Sequence, residues 1–142
     1  MAKGLATLVR VNEWTVDERR RALGVLLREL DDLEAALRRL EQEVVDEQST
    51  AGGDPGEAGF LYGVYAQGVI LRREAIQEAI RAKEGEITEA RESLNEAYRE
   101  LKKYEVIRDA RDRREREERD RKDQIALDEM GVETFRQRSK QH

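Results

Sequence analysis

A coiled-coil repeat is plainest in residues 23–44, which read LGVLLRELDDLEAALRRLEQEV. Apolar residues recur there every seven positions in two columns, a spacing typical of a seam between helices. The first column also extends towards the start of the chain without a polar member. Its residues are Ala2, Val9, Val16, Leu23, Leu30, Leu37 and Val44. The second column carries Asn12 and Arg19, polar residues that we expect to fix the register of the seam.

The repeat stops at a segment rich in glycine. Residues 49–59 contain Gly52-Gly53 and Asp54-Pro55-Gly56, with the only proline of the sequence. Proline and glycine break helices and favour turns. A phosphate-binding loop is disfavoured because the lysine and Ser/Thr of that motif do not follow. The sequence therefore predicts a first helix over about residues 2–48 and a turn over residues 49–59.

A second helix is predicted over about residues 60–135, and it carries two heptad columns of its own. The columns are Ile80, Ile87, Leu94, Leu101 and Tyr62, Val69, Ile76, Lys83, Ala90, Ala97, Tyr104. A short turn joins antiparallel neighbours, so the two seams should face each other. We predict a single all-α domain, a long antiparallel two-helix coiled-coil hairpin with a C-terminal helical overhang from about residue 108.

The predicted overhang begins with a charged section and ends with apolar residues. Residues 109–123 hold seven acids and seven bases. Acid-before-base pairs at i, i+4, such as Glu115/Arg119 and Glu118/Lys122, favour a solvated single helix over a disordered tail. The apolar residues that follow are Ile125, Leu127, Met130, Val132 and Phe135. They indicate a partner-binding tip, and the alternative is a frayed C-terminus with scattered apolar residues.

A second group of apolar residues lies near the turn and outside the seam columns. The group consists of Leu61, Val64, Ile70 and Leu71. Packing of the hairpin tip through Phe60 and Tyr65 is one interpretation, and a docking patch for another protein is the other. Trp14, in the first helix, is expected to pack beside the seam.

Composition excludes several classes of protein. The chain is 42% charged with a net charge of -5, it has no cysteine, and its single histidine is His142. Thiolate metal sites and Ser/His/Asp catalysis are therefore not expected, and neither an enzyme nor a cofactor is predicted. The acidic balance argues against a nucleic-acid partner, and no apolar run is long enough to span a membrane. The start of the chain lacks the features of a secretory signal, which predicts a cytoplasmic location.

Several strings of residues resemble the flagellar export protein family FliJ. They are Met1-Ala2-Lys3-Gly4-Leu5-Ala6-Thr7-Leu8-Val9-Arg10, then Trp14-Thr15-Val16-Asp17-Glu18, and Asp123-Gln124-Ile125-Ala126-Leu127-Asp128-Glu129 after the charged section. The length and two-helix layout of the whole chain are also similar to this family. The glycine-rich segment from Gly52 to Gly59 departs from the family pattern.

The resemblance implies a stalk-like, non-enzymatic component of the flagellar type III export apparatus, needed for flagellum assembly and motility. It implies three partners, namely the hexameric flagellar export ATPase, an export gate membrane protein and substrate chaperones. It also implies a location on the cytoplasmic face of the inner membrane at the flagellar base.

Combined with the two groups of apolar residues outside the seam columns, the resemblance predicts two binding surfaces. Residues expected to engage the ATPase ring are Leu5, Leu8, Ile125, Leu127, Met130 and Phe135. Residues expected to face the gate or a chaperone are Leu61, Val64 and Leu71.

Two other classes of function stay open at the level of sequence. The first is a structural coiled coil that homodimerises through the same columns, with one long bent helix per chain. The second is a helical arm that binds RNA, although the near balance of bases and acids weighs against it.

Overall fold

Two long helices form the whole of the described structure. The computed structural model describes residues 2–50 and 57–140, with the side chains of residues 4–50 and 61–140. Helix α1 spans Ala2–Thr50 and helix α2 spans Glu57–Lys140. No strand occurs in these ranges. The two helices pack against each other, which confirms the predicted all-α helical hairpin.

Contacts divide the chain into two compact units. The hairpin unit consists of Trp14–Tyr98, and the terminal unit consists of Met1–Glu13 with Arg99–His142. In the hairpin unit, side chains of α1 bond to partners that lie progressively earlier along α2. The pairs are Glu29 with Lys83, Glu41 with Arg73, and Gln48 with Tyr62. This order makes the two helices antiparallel, as the sequence predicts. The single-domain organisation remains a prediction.

The predicted heptad columns form the interface between the helices. The second column of α1 consists of Leu5, Asn12, Arg19, Leu26, Leu33, Leu40 and Glu47. Glu47 is exposed, and every other described member of the four columns is buried or half-buried. The most buried members are Val9, Val16, Leu40, Val69, Ile87 and Ala97. Because seven residues cover nearly two helical turns, a heptad column keeps one face of each helix against the other.

Polar residues on the interface find partners there. The Arg19 guanidinium donates a hydrogen bond to the Ser93 carbonyl oxygen of α2 at 2.8 Å. The Lys83 ammonium lies 2.5 Å from a Glu29 carboxylate oxygen of α1 and 2.9 Å from Glu86. A cross-helix bond forms only when the helices are aligned at one level, so these residues specify the register of the hairpin unit.

One cross-helix ion pair is bidentate. The Arg73 Nε and Nη2 atoms donate to the two Glu41 carboxylate oxygens at 2.6 and 3.0 Å. These hydrogen bonds lower the pKa of the Glu41 carboxyl below its ordinary value, although desolvation opposes them. A lowered folded-state pKa stabilises the folded chain above the unfolded pKa, and the contribution is lost as the pH falls through the folded pKa.

Replacing Glu41 by glutamine should therefore lower the melting temperature at pH 7, by a few degrees at most because the pair is solvated. The difference from the unmodified chain should shrink as the pH falls below the ordinary carboxyl pKa of 4.5. Thermal melts followed by circular dichroism between pH 3 and pH 7 measure both effects. A Glu41→Gln difference that persists at pH 3 would show that the ion pair is not its cause.

The helices extend further than the sequence predicted. Ser49 and Thr50, assigned to the turn, belong to α1, because their hydroxyls donate to the Asp46 and Glu47 carbonyl oxygens and so satisfy the end of the helix. Helix α2 begins at Glu57 and continues past residue 135 to Lys140. Its last turn carries Arg138 and Lys140, whose positive charges suit a helix C-terminus. The predicted turn at Asp54-Pro55-Gly56 lies outside the described residues.

Trp14 does not pack beside the seam. Its side chain is 63% exposed. Two residues correspond to about 200° around a helix, so Trp14 points almost opposite to the buried Val16. The prediction was wrong because it considered proximity along the chain and not the angle around the helix.

Gly85 lies within α2 without any packing reason for a glycine. A Cβ atom placed there would meet nothing within 4 Å. Replacing Gly85 by alanine should therefore raise the free energy of unfolding by about 0.5–1 kcal/mol, since glycine weakens a helix interior. The reverse change at a nearby exposed position, Ala82→Gly, should cost a similar amount. Thermal melts of both variants measure the effect, and a less stable Gly85→Ala chain would contradict it.

Candidate partner-binding surfaces

The last part of α2 has no cover from the rest of the described chain. Every residue from Asp112 to Lys140 is exposed. Four of the six apolar residues expected to engage the ATPase ring are among them, with Phe135 at 72% exposure. Ile125, Leu127, Met130 and Val132 are likewise exposed. An exposed apolar cluster of this kind is typical of a site that another molecule covers.

These apolar side chains project in two opposite directions from the helix. At 3.6 residues per turn, Leu127 lies about 160° from Ile125, and Met130 lies on the side of Leu127. Val132 lies close to the direction of Ile125. The segment is therefore apolar on two sides, and a flat partner surface would contact only one of them. A partner that encloses the helix would contact both.

The side of the helix that carries Ile125 also carries an excess of acidic residues. A shallow groove there is lined by Ile125 and Val132 together with charged residues. The charged residues are Asp128, Glu129, Glu133 and Arg136. Three acids against one base give this side of the helix a negative edge, which suits a partner with basic residues beside an apolar patch.

Leu5 and Leu8, the other two residues expected at the ATPase ring, occupy different environments in the terminal unit. Leu8 is 43% exposed and available to a partner. Leu5 is half-buried and lies in its heptad column on the inner side of α1. The structure thus leaves Leu8 exposed, as it leaves the apolar residues of 125–135 exposed, and places Leu5 at the helix interface.

The charged section, residues 109–123, is helical, and most of its side chains are exposed to solvent. Its ion pairs are Glu118 with Arg121 at 2.7 Å, Arg111 with Glu115 at 3.7 Å, and Asp109 with the preceding Arg108 at 3.3 Å. Within residues 109–123 none of the predicted acid-before-base i, i+4 pairs forms, because exposed long side chains have several partners of nearly equal energy. The hydrogen bond from Arg121 lowers the pKa of Glu118 below its ordinary value.

The second predicted surface lies near the start of α2. Leu61 and Leu71 are 66% and 67% exposed, and Val64 and Ile70 are exposed as well. Tyr65 is half-buried, and its ring lies 6.4 Å from the Tyr62 ring. The side chain of Phe60 lies outside the described residues. Tyr65 is thus partly covered and lies near Tyr62 of the same helix, while the four aliphatic residues are open to solvent.

Sequence reasoning missed several exposed apolar residues. Val11, Val106 and Ile107 are exposed in the terminal unit, and Trp14 is exposed in the hairpin unit. Their places in the heptad repeat, outside both columns, are the signal that would have identified them. Within the described residues, neither helix has a stretch long and apolar enough to cross a bilayer.

Comparisons with known proteins agree along nearly the whole chain. The sequence profile of the family described as Flagellar FliJ protein matches residues 1–140. Two proteins of Caulobacter vibrioides, from strains NA1000 / CB15N and ATCC 19089 / CIP 103742 / CB 15, carry that same description. Each is 26% identical to this chain over 132 residues, which cover 93% of this chain and 94% of the relative. No solved structure matches this chain significantly.

Proposed function

Since the chain belongs to the flagellar FliJ protein family, we propose that it is a non-enzymatic stalk of the flagellar type III export apparatus. In this role it binds the hexameric export ATPase and couples it to the export gate and to substrate chaperones. It acts in the cytoplasm, at the inner-membrane face of the flagellar base. Flagellum assembly and motility depend on it.

The observation that carries this proposal is the exposed end of α2. Residues 112–140 form a helix without cover from the described chain, and its apolar side chains project in opposite directions. A helix of this kind gains most from a partner that surrounds it, and the central opening of a hexameric ring is such a partner. The balanced charges of residues 109–123 suit entry because neither sign would bind the helix tightly to the wall.

Each predicted surface has a role in this proposal. The residues assigned to the ATPase ring are Leu5, Leu8, Ile125, Leu127, Met130 and Phe135. Residues that face the gate or a chaperone are Leu61, Val64 and Leu71. The two sets belong to different units of the chain. Binding at one set can therefore be removed by mutation while the other set stays intact.

The test is ATP hydrolysis by the flagellar export ATPase from the same source, with one copy of this chain added for each six ATPase subunits. We expect faster hydrolysis, together with ring assembly and co-elution of the two proteins in gel filtration. An unchanged rate without co-elution would reject the stalk assignment and leave a coiled coil of another function.

A homodimer built from one bent helix per chain is the competing structural function. In that arrangement the heptad columns would pair with a second molecule. In the hairpin unit the columns of α1 and α2 instead cover each other, and Arg19 and Lys83 bond across the same interface within one chain. The seam is therefore occupied, and a dimer would need a different surface.

A further inference from the structure

Residues 127–132, which read LDEMGV, have the pattern of a helix end although they lie inside α2. Many helices end with a glycine directly after their last residue, because glycine readily adopts the left-handed conformation that closes the end. In this glycine cap, the apolar residue after the glycine packs on an apolar residue five positions earlier. Gly131, Val132 and Leu127 stand at these three positions. A helix that ended at Met130 would therefore be capped by its own sequence.

In the structure, α2 nonetheless continues through this pattern to Lys140. No glycine among the described residues has a positive φ, so the backbone of Gly131 is helical and not left-handed. Leu127 and Val132 are five residues apart, which is about 140° around a helix. Their side chains are 62% and 52% exposed. The two residues that would meet in a glycine cap thus lie on different sides of the long helix.

Packing does not stabilise the long helix around Gly131. Tertiary contacts supply most of the stability of helices in proteins. The glycine inside the hairpin unit, Gly85, lies two residues from Ile87, which is only 5% exposed. Every residue from 112 to 140 is exposed, and the nearest half-buried residue to Gly131 is Arg111, 20 positions earlier. The helical state of Gly131 therefore depends on local interactions alone.

Side-chain pairs support the exposed helix before Gly131 but not after it. The pairs on the earlier side include Glu118 with Arg121 at 2.7 Å and Gln124 with Asp128 at 3.1 Å. Each such pair stabilises a helix slightly. From Gly131 to residue 140, the described side chains form no ion pair or hydrogen bond with one another. Local support thus ends close to the position of the glycine cap.

The residues that follow Met130 also have low helix propensity. Gly131 alone lowers the helix–coil equilibrium about fivefold relative to alanine. Val132, Thr134 and Phe135 rank below leucine, glutamate and arginine as helix formers. The Thr134 hydroxyl donates to the Met130 carbonyl oxygen at 2.8 Å, a bond that slightly destabilises a helix. Opening of the helix from its C-terminus is therefore most favourable once it includes Gly131.

We propose that the free chain exchanges between two lengths of α2, the long helix and a short helix that ends at Met130 with Gly131 in the left-handed conformation. In the short form the Val132 N–H donates to the Leu127 carbonyl oxygen, and the Val132 side chain packs on that of Leu127. Residues 133–140 leave the helix in this form.

Charges near the two ends keep the two forms close in free energy. The C-terminus of a helix is the negative end of its dipole and favours basic residues. The long helix ends with Arg138 and Lys140, whereas the last turn of the short helix carries Asp128 and Glu129. Each of these charges changes the equilibrium by about two- to fivefold in favour of the long form. They oppose the release of Gly131, and salt weakens them, so higher ionic strength favours the short form.

The short form hides part of the surface that we assign to the ATPase ring. Val132 covers Leu127, and Phe135 no longer has a fixed position on a helix. A partner that encloses the long helix therefore shifts the population towards the long form, and its binding must overcome the short form. This coupling to the ring rests on the proposed function, whereas the two lengths of α2 do not.

NMR on the full chain without any partner tests the two forms. We expect a nuclear Overhauser effect between the methyl groups of Leu127 and Val132, because these groups meet only in the short form. Amides of residues 133–140 should be several-fold less protected from hydrogen exchange than those of residues 113–128. Their protection should fall further as salt rises from about 50 mM to about 500 mM. Either a missing Overhauser effect or equal protection on the two sides of Gly131 overturns the proposal.

Three variants separate the capped short form from simple fraying of the helix. Val132→Ser keeps a similar helix propensity but removes the apolar contact of the cap, so the protection of residues 133–140 should rise several-fold. Phe135→Ser makes a comparable change outside the cap and should leave that protection unchanged. Gly131→Ala should raise it at least fivefold and abolish the Overhauser effect. Val132→Ser protection equal to that of the unmodified chain would show fraying without a cap and overturn the proposal.

Hydrogen exchange with the assembled export ATPase ring tests the coupling. A saturating amount of ring should raise the protection of residues 133–140, and Gly131→Ala should bind the ring several-fold more tightly than the unmodified chain. A ring that binds both chains equally and leaves residues 133–140 unprotected overturns the coupling but not the stalk assignment. A ring that binds neither chain rejects the stalk assignment, and the two lengths of α2 then stand or fall on the NMR result.

Discussion

Replacing Ile87 by aspartate should lower the free energy of unfolding by about 4 kcal/mol or more, because the change both opens a cavity and buries a charge. Ile87 is 5% exposed and lies in a heptad column near the middle of the hairpin unit. Removing its aliphatic side chain alone costs about 2–5 kcal/mol. A carboxylate at the same site adds a desolvation penalty. Since a domain of this kind is stable by about 5–15 kcal/mol, one such change consumes a large share of the total.

Thermal melts followed at 222 nm measure this loss. Two controls isolate its cause. Leu71→Asp introduces the same charge at a position that is 67% exposed, and it should change the melt little at micromolar concentration. Ile87→Val removes one methylene group and should cost about 0.5–1.5 kcal/mol. A melting curve of Ile87→Asp within a few degrees of the unmodified chain would show that the seam does not stabilise the hairpin unit.

Replacing Leu127 and Phe135 together by aspartate should weaken binding to the export ATPase ring by about 100-fold or more. Burial of a large apolar side chain contributes about 1.5–3 kcal/mol, and both contributions are lost together. Both residues are exposed, so the change should leave helix content unaltered. They lie eight residues apart, which is about 80° around the helix, so the double variant removes two neighbouring apolar contacts and leaves Ile125 and Val132 in place.

A matched variant separates lost apolar contact from added charge. Thr134→Asp with Gln137→Asp adds the same two charges to the same exposed segment and removes no large apolar residue. We expect this control to bind within a few-fold of the unmodified chain. Co-sedimentation with assembled rings gives both affinities. Equal loss in the two variants would mean that charge, and not apolar contact, governs the association.

The sequence predicted the architecture because a heptad repeat constrains geometry directly. Columns such as Val9 to Val44 can stay on one face only if the helix is continuous, and only a second helix with matching columns can cover them. The antiparallel order then follows from the shortness of the segment that joins the helices. Helix ends were less predictable, since Ser49 and Thr50 favour turns on average but here bond back to their own helix.

Details outside the columns were harder to predict. Trp14 was assigned by its distance along the chain, whereas its angle around α1 turns it to solvent. The ion pairs of residues 109–123 also differ from the predicted ones, because exposed charged side chains choose among partners of similar energy. Periodicity settles which face is buried. It says much less about which solvent-exposed groups meet.

The candidate surfaces were only partly accessible to sequence reasoning. Exposure of Leu61, Leu71, Leu127 and Phe135 follows from their absence from the columns. Leu5 belongs to a column, and its half-buried position agrees with the repeat better than with a surface role.

The exposed Trp14 is an intrinsic fluorescence probe of binding to α1. Trp14 is the only tryptophan of the sequence, so all indole fluorescence comes from one known side of α1. An indole that is 63% exposed emits at long wavelength and is readily quenched by iodide. Any molecule that docks over that side will shift the emission towards the blue and protect it from the quencher. Binding there can thus be followed in solution without attaching a dye.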